Sequence, residues 1–381
     1  VMINTAVSST KTLFGAPKNV LIVIRSTIMY KDKTKTSAAA DPIRELRNRL
    51  SVKGKESAFL NARLEYQDAA HALSQYIPWF SGKERVFPDM LPTQADGRWS
   101  ISRPPMITIN KEFRDRLVVP DEGTAWVCWD WDALYAKMAA CYSSDKEDLA
   151  AFEKGYDIHT ITACRMLGIE LPPNLVAPHT SQECEEWRAK HKWTGKNDKR
   201  RDLAKVRYCL IFGKDERAVQ GSAYEKDMLK MGFDRKVLLE AGKQFLRAKP
   251  GLVSCKRKWW DICAKACESR TILGRRRRLY GDWWKRAKEG WCHMLQGLEV
   301  DMLNLALIEI TEHYPKCSLV YPSHDAAKVR LPSSDWNPAT FDAIIRTFKK
   351  AVEKSWMLAG NSFLAKATWY LRYPNGAKED F

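Results

Sequence analysis

RDLAKVRYCLIFG, the stretch from Arg201 to Gly213, decides how the rest of this chain is read. Taken as a helix at about 100° per residue, it lines up Arg201, Lys205, Tyr208 and Phe212 in one narrow stripe. Leu203, Val206, Leu210 and Ile211 lie off the stripe and can pack inward. One face thus presents two cations followed by two aromatic rings. Cations in a row suit a polyphosphate, and a ring just beyond them can stack on a base. Taken alone, the same pattern also describes an amphipathic surface helix whose Arg and Lys are merely solvated.

The surrounding chain has 381 residues, a net charge of +17 and 15 Trp. That charge suits a polyanionic partner, and Trp among cations adds stacking surface, although most Trp in any protein are core. The ten Cys are irregularly spaced and include no CxxC pair, which argues against a disulfide framework or zinc ribbon and for a reducing, intracellular compartment. No apolar run approaches the roughly 20 residues of a membrane span. The first thirty positions carry Lys11, Lys18 and Arg25 with no acid, weakly like a mitochondrial presequence; mitochondrion or nucleus is the expected location. The chain starts at Val1, which suggests a fragment of a longer protein. No P-loop, HExxH or GxGxxG pattern occurs.

Outward from the central stretch, residues 1–40 read as loosely organised, with VLIVI at Val20–Ile24 a short strand or buried patch and Asp41-Pro42 starting a helix. A second helical pattern aligns Ala62, Tyr66, Ala69, Leu73 and Tyr76 on one face, ended by Pro78. TAWVCWD at Thr124–Asp130 is rich in strand formers and ends on an acid; helical spacing follows at Leu134, Met138 and Cys141. Asp157 is placed to cap a helix, and the polar residues 180–200 read as a loop. Residues 251–290 carry twelve Lys or Arg, Lys256–Lys258 included, interleaved with Trp259, Trp260, Trp283 and Trp284, a pattern suited to the phosphates of a polyanion. After a helix through Val300, Leu303, Leu307 and Ile310, two strand-like pieces, Ser318–Tyr321 and Lys328–Leu331, flank a turn holding His324 and Asp325. Two acids, Asp130 and Asp325, therefore sit at strand ends. Metal-assisted phosphoryl transfer needs carboxylates from separate strands to converge, since the ions lie roughly 4 Å apart. Both also suit ordinary turn aspartates.

The order of these pieces resembles the polymerase region of family A DNA polymerases, from roughly Leu60 onward. GRWSISRPPMITI (Gly97–Ile109) is similar to the family's TGR-x-S-x-x-P-N-L stretch along the primer minor groove, with Arg98 as its arginine. CWDWDALYAKMAA (Cys128–Ala140) resembles motif A, and Asp130 falls at the metal aspartate. GYDIHTITA (Gly155–Ala163) resembles G-x-D-I-H-T-x-T-A, which places His159 at a triphosphate contact. The central stretch resembles motif B, and RTILGRRRRL (Arg270–Leu279) resembles E-T-L-x-G-R-R-R-x-L. Gln296-Gly297 matches a Q-G-T pair, and PSHDAAKV (Pro322–Val329) resembles motif C.

The resemblance implies a mixed α/β right hand with an antiparallel palm sheet, helical fingers and a reduced thumb. Its segments would be 41–90 for a thumb remnant, 91–145 and 286–381 for the palm, and 146–285 for the fingers. It implies a template-directed DNA polymerase acting in replication or repair. Two Mg²⁺ would sit on Asp130 and Asp325. Arg201, Lys205 and His159 would take the triphosphate of a dNTP, Tyr208 would stack on its base and Tyr135 would meet its sugar. Arg98, Arg275, Arg276, Arg277, Lys288, Gln296 and His324 would contact primer-template DNA. No membrane is implied, the length leaves no room for the proofreading exonuclease domain, and an exonuclease-bearing or processivity partner is expected. Departures from the family pattern are Tyr135 for Glu, Lys137 for Arg, a motif B one residue short with Cys209 for Gly and Phe212 for Tyr, Ala326 for Glu, and Lys288 and Cys292 for Arg and Asn. Tyr135 argues against a single-subunit RNA polymerase, which needs a small residue there. Ala326 and the short motif B leave open a degenerate relative that binds nucleic acid without catalysis.

Overall fold

The structure is a computed structural model that describes residues 58–380 apart from 84, 110–113, 116–117, 177–181, 195–197, 333–336 and 359. The readings of residues 1–57, including Asp41-Pro42 and Val20–Ile24, lie outside the described residues. Two compact units form: one contains residues 58–83 and 226–235, the other 85–225 and 236–380.

In the smaller unit, helix α1 (Ala58–Gln75) buries Leu60, Leu64 and Ala72. The face that the sequence pattern lines up is outward, with Tyr66 55% and Leu73 65% exposed. Leu60 and Leu64, one turn apart, define a stronger apolar stripe than the Ala-rich one that the sequence suggests. The helix stops at Gln75, ahead of Pro78, and Pro78 itself opens a short turn, α2 (Ile77–Phe80), whose first positions need no backbone donor.

The larger unit is mixed α/β. Strands β1 (Asp89–Leu91) and β2 (Ser100–Ser102) form a small hairpin ahead of β3 (Thr124–Trp131). Helices α3 (Leu134–Ser143), α4 (Lys146–Glu153), α5 (Ile158–Leu167) and α6 (Gln182–His191) follow. Then come a 3₁₀ turn (Arg201–Lys205), α7 (Val206–Phe212), α8 (Ala223–Lys230), whose residues from 226 on belong to the smaller unit, α9 (Arg235–Ala248) and α10 (Pro250–Ala266). The ribbon β4 (Glu268–Arg270) and β5 (Arg276–Arg278) leads into the long helix α11 (Trp283–His313). Strands β6 (Ser318–Ser323) and β7 (Ala326–Pro332), helix α12 (Pro338–Val352), and β8 (Ser355–Leu358), β9 (Asn361–Leu364), β10 (Ala367–Arg372) and β11 (Lys378–Asp380) complete the chain.

The central sheet is antiparallel, in the order β11-β10-β3-β7-β6. Strand β3 has neighbours on both edges and cover on both faces, so its residues are buried except Asp130. Its β-branched and aromatic content suits that setting. Because side chains alternate, Val127, Trp129 and Trp131 share one face with their partners Val329, Ala327, Trp369 and Leu371. On the opposite face lie Trp126, Cys128 and Asp130. There Lys328 is buried with its ammonium over the rings of Tyr321 (4.8 Å) and Trp126 (5.7 Å). Such contacts hold a desolvated cation inside a sheet.

Residues 180–200 are not a continuous loop. Helix α6 buries Cys184 and Trp187, and Trp187 packs with Trp193, Ala163, Cys164 and Ala204. Two apolar residues one turn apart suffice to seat an otherwise charged helix.

The central stretch also departs from a uniform helix. Arg201–Lys205 is a 3₁₀ turn, and only Val206–Phe212 is α-helical. The inward set nevertheless holds: Leu203, Val206, Leu210 and Ile211 are buried. The end of α7 is tied down from two other helices. Lys256 on α10 is buried, not on a phosphate-facing surface as the sequence suggests. Its Nζ donates to Leu210 O (2.6 Å) and Gly213 O (2.8 Å), while Trp291 Nε1 on α11 donates to Ile211 O (2.8 Å). Carbonyls that a helix C-terminus leaves unpaired are thus satisfied, and a cation sits at the negative end of the helix. Burial pushes the Lys256 ammonium down to about 8, low for a lysine but still charged at neutral pH. Gly290 on α11 allows α10 to come this close, because a Cβ there would lie 2.5 Å from Cys263 Cβ.

Replacing Lys256 by Met retains most of the volume but leaves buried carbonyls unpaired. Loss of charge-assisted hydrogen bonds of this kind costs about 2–4 kcal/mol. The Lys256→Met variant is therefore expected to unfold at clearly lower denaturant than the parent, measured at neutral pH.

Candidate active site

The β3–β7 register places Asp130 opposite Ala326, and Trp131 N donates to Asp325 O at 3.0 Å. The two acids picked out in sequence thereby meet at one end of the sheet. Asp130 is exposed; burial pushes the Asp325 carboxyl above its ordinary range. His324 precedes it with φ +55°, in the left-handed region, at the turn between β6 and β7. No cluster of three or more His, Cys, Asp or Glu suited to a metal occurs among the described residues. A pair of carboxylates at one end of the sheet still fits Mg²⁺, which is commonly held by one or two carboxylates plus substrate phosphates.

Beside this pair stands a residue the sequence reading missed. Glu299 on α11 is fully buried. Its Oε2 accepts from Arg98 Nη2 (2.8 Å) and from the Tyr135 hydroxyl, and Arg98 also donates to that hydroxyl oxygen. Burial pushes the Glu299 carboxyl up to about 7 against the pull of Arg98. Burial and Glu299 together hold the Tyr135 phenol well above its usual value. The Tyr135 ring meets Phe212 edge-on, with centroids 5.0 Å apart and planes at 82°. Arg98 is therefore committed to protein partners in this structure.

The cationic side is built on Asp157. It caps α5, accepting from His159 N (3.1 Å) and Thr160 N (3.3 Å), as its sequence position indicates. It also takes a two-pronged ion pair from Arg201, with Nε at 2.8 Å and Nη2 at 2.9 Å. Arg201 is thus braced against the cap and does not stand as a free arm. Lys205 pairs with Asp202 at 2.7 Å and remains 45% exposed in its side chain. Arg207, another residue missed in sequence, is buried with Nη1 on Thr162 Oγ1 (3.2 Å) and its guanidinium over Tyr208. Tyr208 leans on Tyr224, centroids 5.9 Å apart. Burial first, then Arg207 and Arg201, pull His159 down to about 3, so its imidazole is neutral.

The profile of DNA polymerase family A matches residues 4–355. The chain belongs to DNA polymerase family A. It is 25% identical over 288 residues to DNA polymerase I of Aquifex aeolicus, covering 74% of this chain and 43% of that one. Against DNA polymerase I of Streptococcus pneumoniae it is 23% identical over 372 residues, covering 90% and 37%. The chain thus spans less than half the length of these relatives. Among solved structures, the POL domain of Pol1 from M. smegmatis, in complex with DNA primer-template and dNTP, matches with a TM-score of 0.68. The identity there is 18%, and the match covers 99% of this chain and 63% of that one. The mixed α/β fold with its antiparallel sheet is shared with that domain.

Within this family A chain, the basic ribbon is more occupied than its sequence suggests. Arg275 Nε bonds Asp301 at 2.6 Å, Arg276 pairs with Glu268, and Arg277 Nη2 bonds Glu289 at 2.8 Å. Gly97, at φ +89°, lets the Arg275 guanidinium lie on its backbone: a Cβ would meet Nη1 at 2.5 Å. Lys288 is exposed, and Gln296 is half-buried on α11. Trp260 is core and meets Trp284 edge-on, while Trp283 is 45% exposed. No helix among the described residues is long and apolar enough to cross a membrane.

The neutral His159 has a consequence for stability. An unfolded histidine titrates near 6.5, whereas His159 in the folded chain titrates at about 3 and buried His293 at about 4. Between those values the unfolded chain binds protons that the folded chain refuses, so stability rises with pH across this window. Urea midpoints are expected to fall as pH drops from 6.5 toward 4. His159→Gln should flatten that fall; an unchanged slope would mean that His159 is protonated in the fold.

Proposed function

We propose that this chain is the nucleotidyl-transfer region of a DNA-directed DNA polymerase, adding dNTP to a primer 3′-hydroxyl on a DNA template. The observation that carries the reading is the β3–β7 register, which sets Asp130 and Asp325 side by side in a family A chain. The M. smegmatis relative, held with primer-template and dNTP, supports the same substrates here. Residues 91–145 and 286–381 serve as palm, 146–285 as fingers and 41–90 as the base of a thumb.

Asp130 and Asp325 are the residues that would hold Mg²⁺. When bound, two Mg²⁺ ions supply the positive charge that acidifies the primer hydroxyl and offsets the leaving pyrophosphate. Lys205, still half-exposed, is the cation with most freedom to meet a triphosphate, while Arg201 contributes from its brace on Asp157. Neutral His159 can donate a hydrogen bond to a phosphate oxygen without adding charge. Tyr208 offers a face to the base, and Tyr135 stands at the sugar. Arg98, Lys288, Gln296, His324 and the Arg275–Arg277 ribbon lie on the primer-template side, with the ribbon exchanging intramolecular acids for phosphates on binding. Replication or repair in a reducing intracellular compartment, mitochondrion or nucleus, with an exonuclease-bearing or processivity partner, completes the reading. The ten free cysteines agree with such a compartment.

One observation favours a second reading, binding without catalysis: the residue opposite Asp130 is Ala326, a methyl where the family pattern carries an acid. Primer extension with Mg²⁺ separates the two. Under the first reading Asp130→Asn and Asp325→Asn each lower extension on the order of 10³-fold or more, as when transition-state charge loses its stabiliser. DNA binding by these variants is retained, with log K falling by about 0.9 per phosphate contact for each unit of log salt. Parent-like extension by either variant would remove the assignment.

Sugar choice gives a separate check. Tyr135→Ala is expected to raise ribonucleotide use relative to deoxyribonucleotide by roughly 10–100-fold, the range open to one steric contact. A folded, active variant with the parent's ratio would place another side chain against the sugar.

A further inference from the structure

An aromatic wall excludes a hydroxyl only while it stays in place. Tyr135 has two side-chain torsions, and a ring free to change rotamer would open the space it closes. Here three contacts hold it. Phe212 packs against its ring edge-to-face, with centroids 5.0 Å apart, its hydroxyl donates to Glu299 Oε2, and Arg98 donates to the same hydroxyl. Arg98 Nη2 also bonds Glu299 at 2.8 Å, so carboxylate, guanidinium and phenol close a three-membered ring of hydrogen bonds. Glu299 is fully buried on the rigid α11, and its other oxygen, Oε1, has no hydrogen-bond partner among the described residues. A buried carboxylate with a guanidinium as its counter-charge is expensive to disturb, because removing either partner leaves a desolvated group behind. Tyr135 comes from the helix after the metal strand, Arg98 from the segment before it, and Glu299 from the long helix, so the ring ties together three separated pieces of chain.

We infer that Glu299 is a positioning residue for sugar selection: it clamps the Tyr135 hydroxyl and the Arg98 guanidinium so that the phenol ring stands as a fixed wall. The residue acts through Tyr135 and touches no substrate itself. This rests on the reading of Tyr135 as the sugar-facing residue of a polymerase, and extends it to a residue that no family motif quoted above includes. Selection then depends on a hydrogen bond behind the ring as well as on the ring's volume.

The test uses the full chain in single-nucleotide incorporation on primer-template DNA with Mg²⁺, comparing kcat/KM for a dNTP and the matching rNTP. Tyr135→Phe retains the ring and removes the clamped hydroxyl; Glu299→Gln retains the shape and removes the charge. Both are expected to raise rNTP efficiency in absolute terms, by about tenfold, the factor equivalent to one hydrogen bond. The double variant is expected to equal the single ones. A purely structural role would lower dNTP and rNTP efficiency together. Tyr135→Ala raising rNTP use while Tyr135→Phe and Glu299→Gln leave it at or below the parent's level would overturn the clamp and spare the wall. No rise with Tyr135→Ala in an active enzyme would overturn the wall and the clamp with it. If the parent does not extend primers, the polymerase reading fails by itself, and the clamp is judged by urea unfolding of the same single and double variants. Non-additive losses support coupling of Tyr135 to Glu299, and strict additivity overturns it.

Discussion

Everything at the candidate site depends on the register between β3 and β7. Side chains of a strand alternate between faces, so a slip by one residue would turn Asp130 into the apolar layer and bring Trp129 or Trp131 out of it. The register is held because both faces of β3 carry commitments. On one, Trp129 lies against Trp369 and Trp131 Nε1 reaches Val352 O at 3.0 Å. On the other, Lys328 can sit between Trp126 and Tyr321 only in this alignment. The apolar layer therefore determines where the acids stand, and the only β3 residue left exposed is the acid.

The second constraint is electrostatic. The chain carries a net +17, yet many of the cations nearest the site are already paired within the fold: Arg98 with Glu299, Arg201 with Asp157, Arg275 with Asp301, Arg277 with Glu289. These pairs orient guanidinium groups whose five donors exceed what one carboxylate can accept. Under the proposed function, an incoming phosphate would then meet a cation already aimed, with part of its ordering cost met during folding.

What was legible in the sequence follows the range of the interactions. Strand β3, the β6–β7 turn and the Asp157 cap are signalled by neighbours in the chain, and each lies where local pattern puts it. The inward set of the central stretch was also readable, because Leu203, Val206, Leu210 and Ile211 repeat at helical spacing. Its tightening into a 3₁₀ turn at Arg201–Lys205 was not, nor was the burial of Lys256, whose partners lie some forty residues away. Glu299 was passed over for the same reason: an acid in a helix reads as surface until Arg98, 201 residues earlier, is brought beside it. Helix α6 was hidden by its charges, since among its described side chains only Cys184 and Trp187 are buried. On α1 the small residues Ala62 and Ala69 suggested a stripe, but Leu60 and Leu64 bury more apolar area per residue and set the rotation.

The tie between Lys256 and the end of α7 has a kinematic meaning. With its last carbonyls bonded to side chains on α10 and α11, α7 cannot swing independently; the three helices form a single rigid link. A displacement of the Arg201–Phe212 stretch must then be accommodated outside that link. The available joints are where α10 begins, at Lys249-Pro250, and where it stops, at Cys267 with φ +52°. Lys249 is itself anchored to Asp145 and Asp148 at 2.7 Å, and the trailing end is held by Arg286 Nε on Ala264 O (3.0 Å) and Leu279 N on Cys267 O (2.9 Å), so both joints are latched and a displacement has to carry these bonds with it.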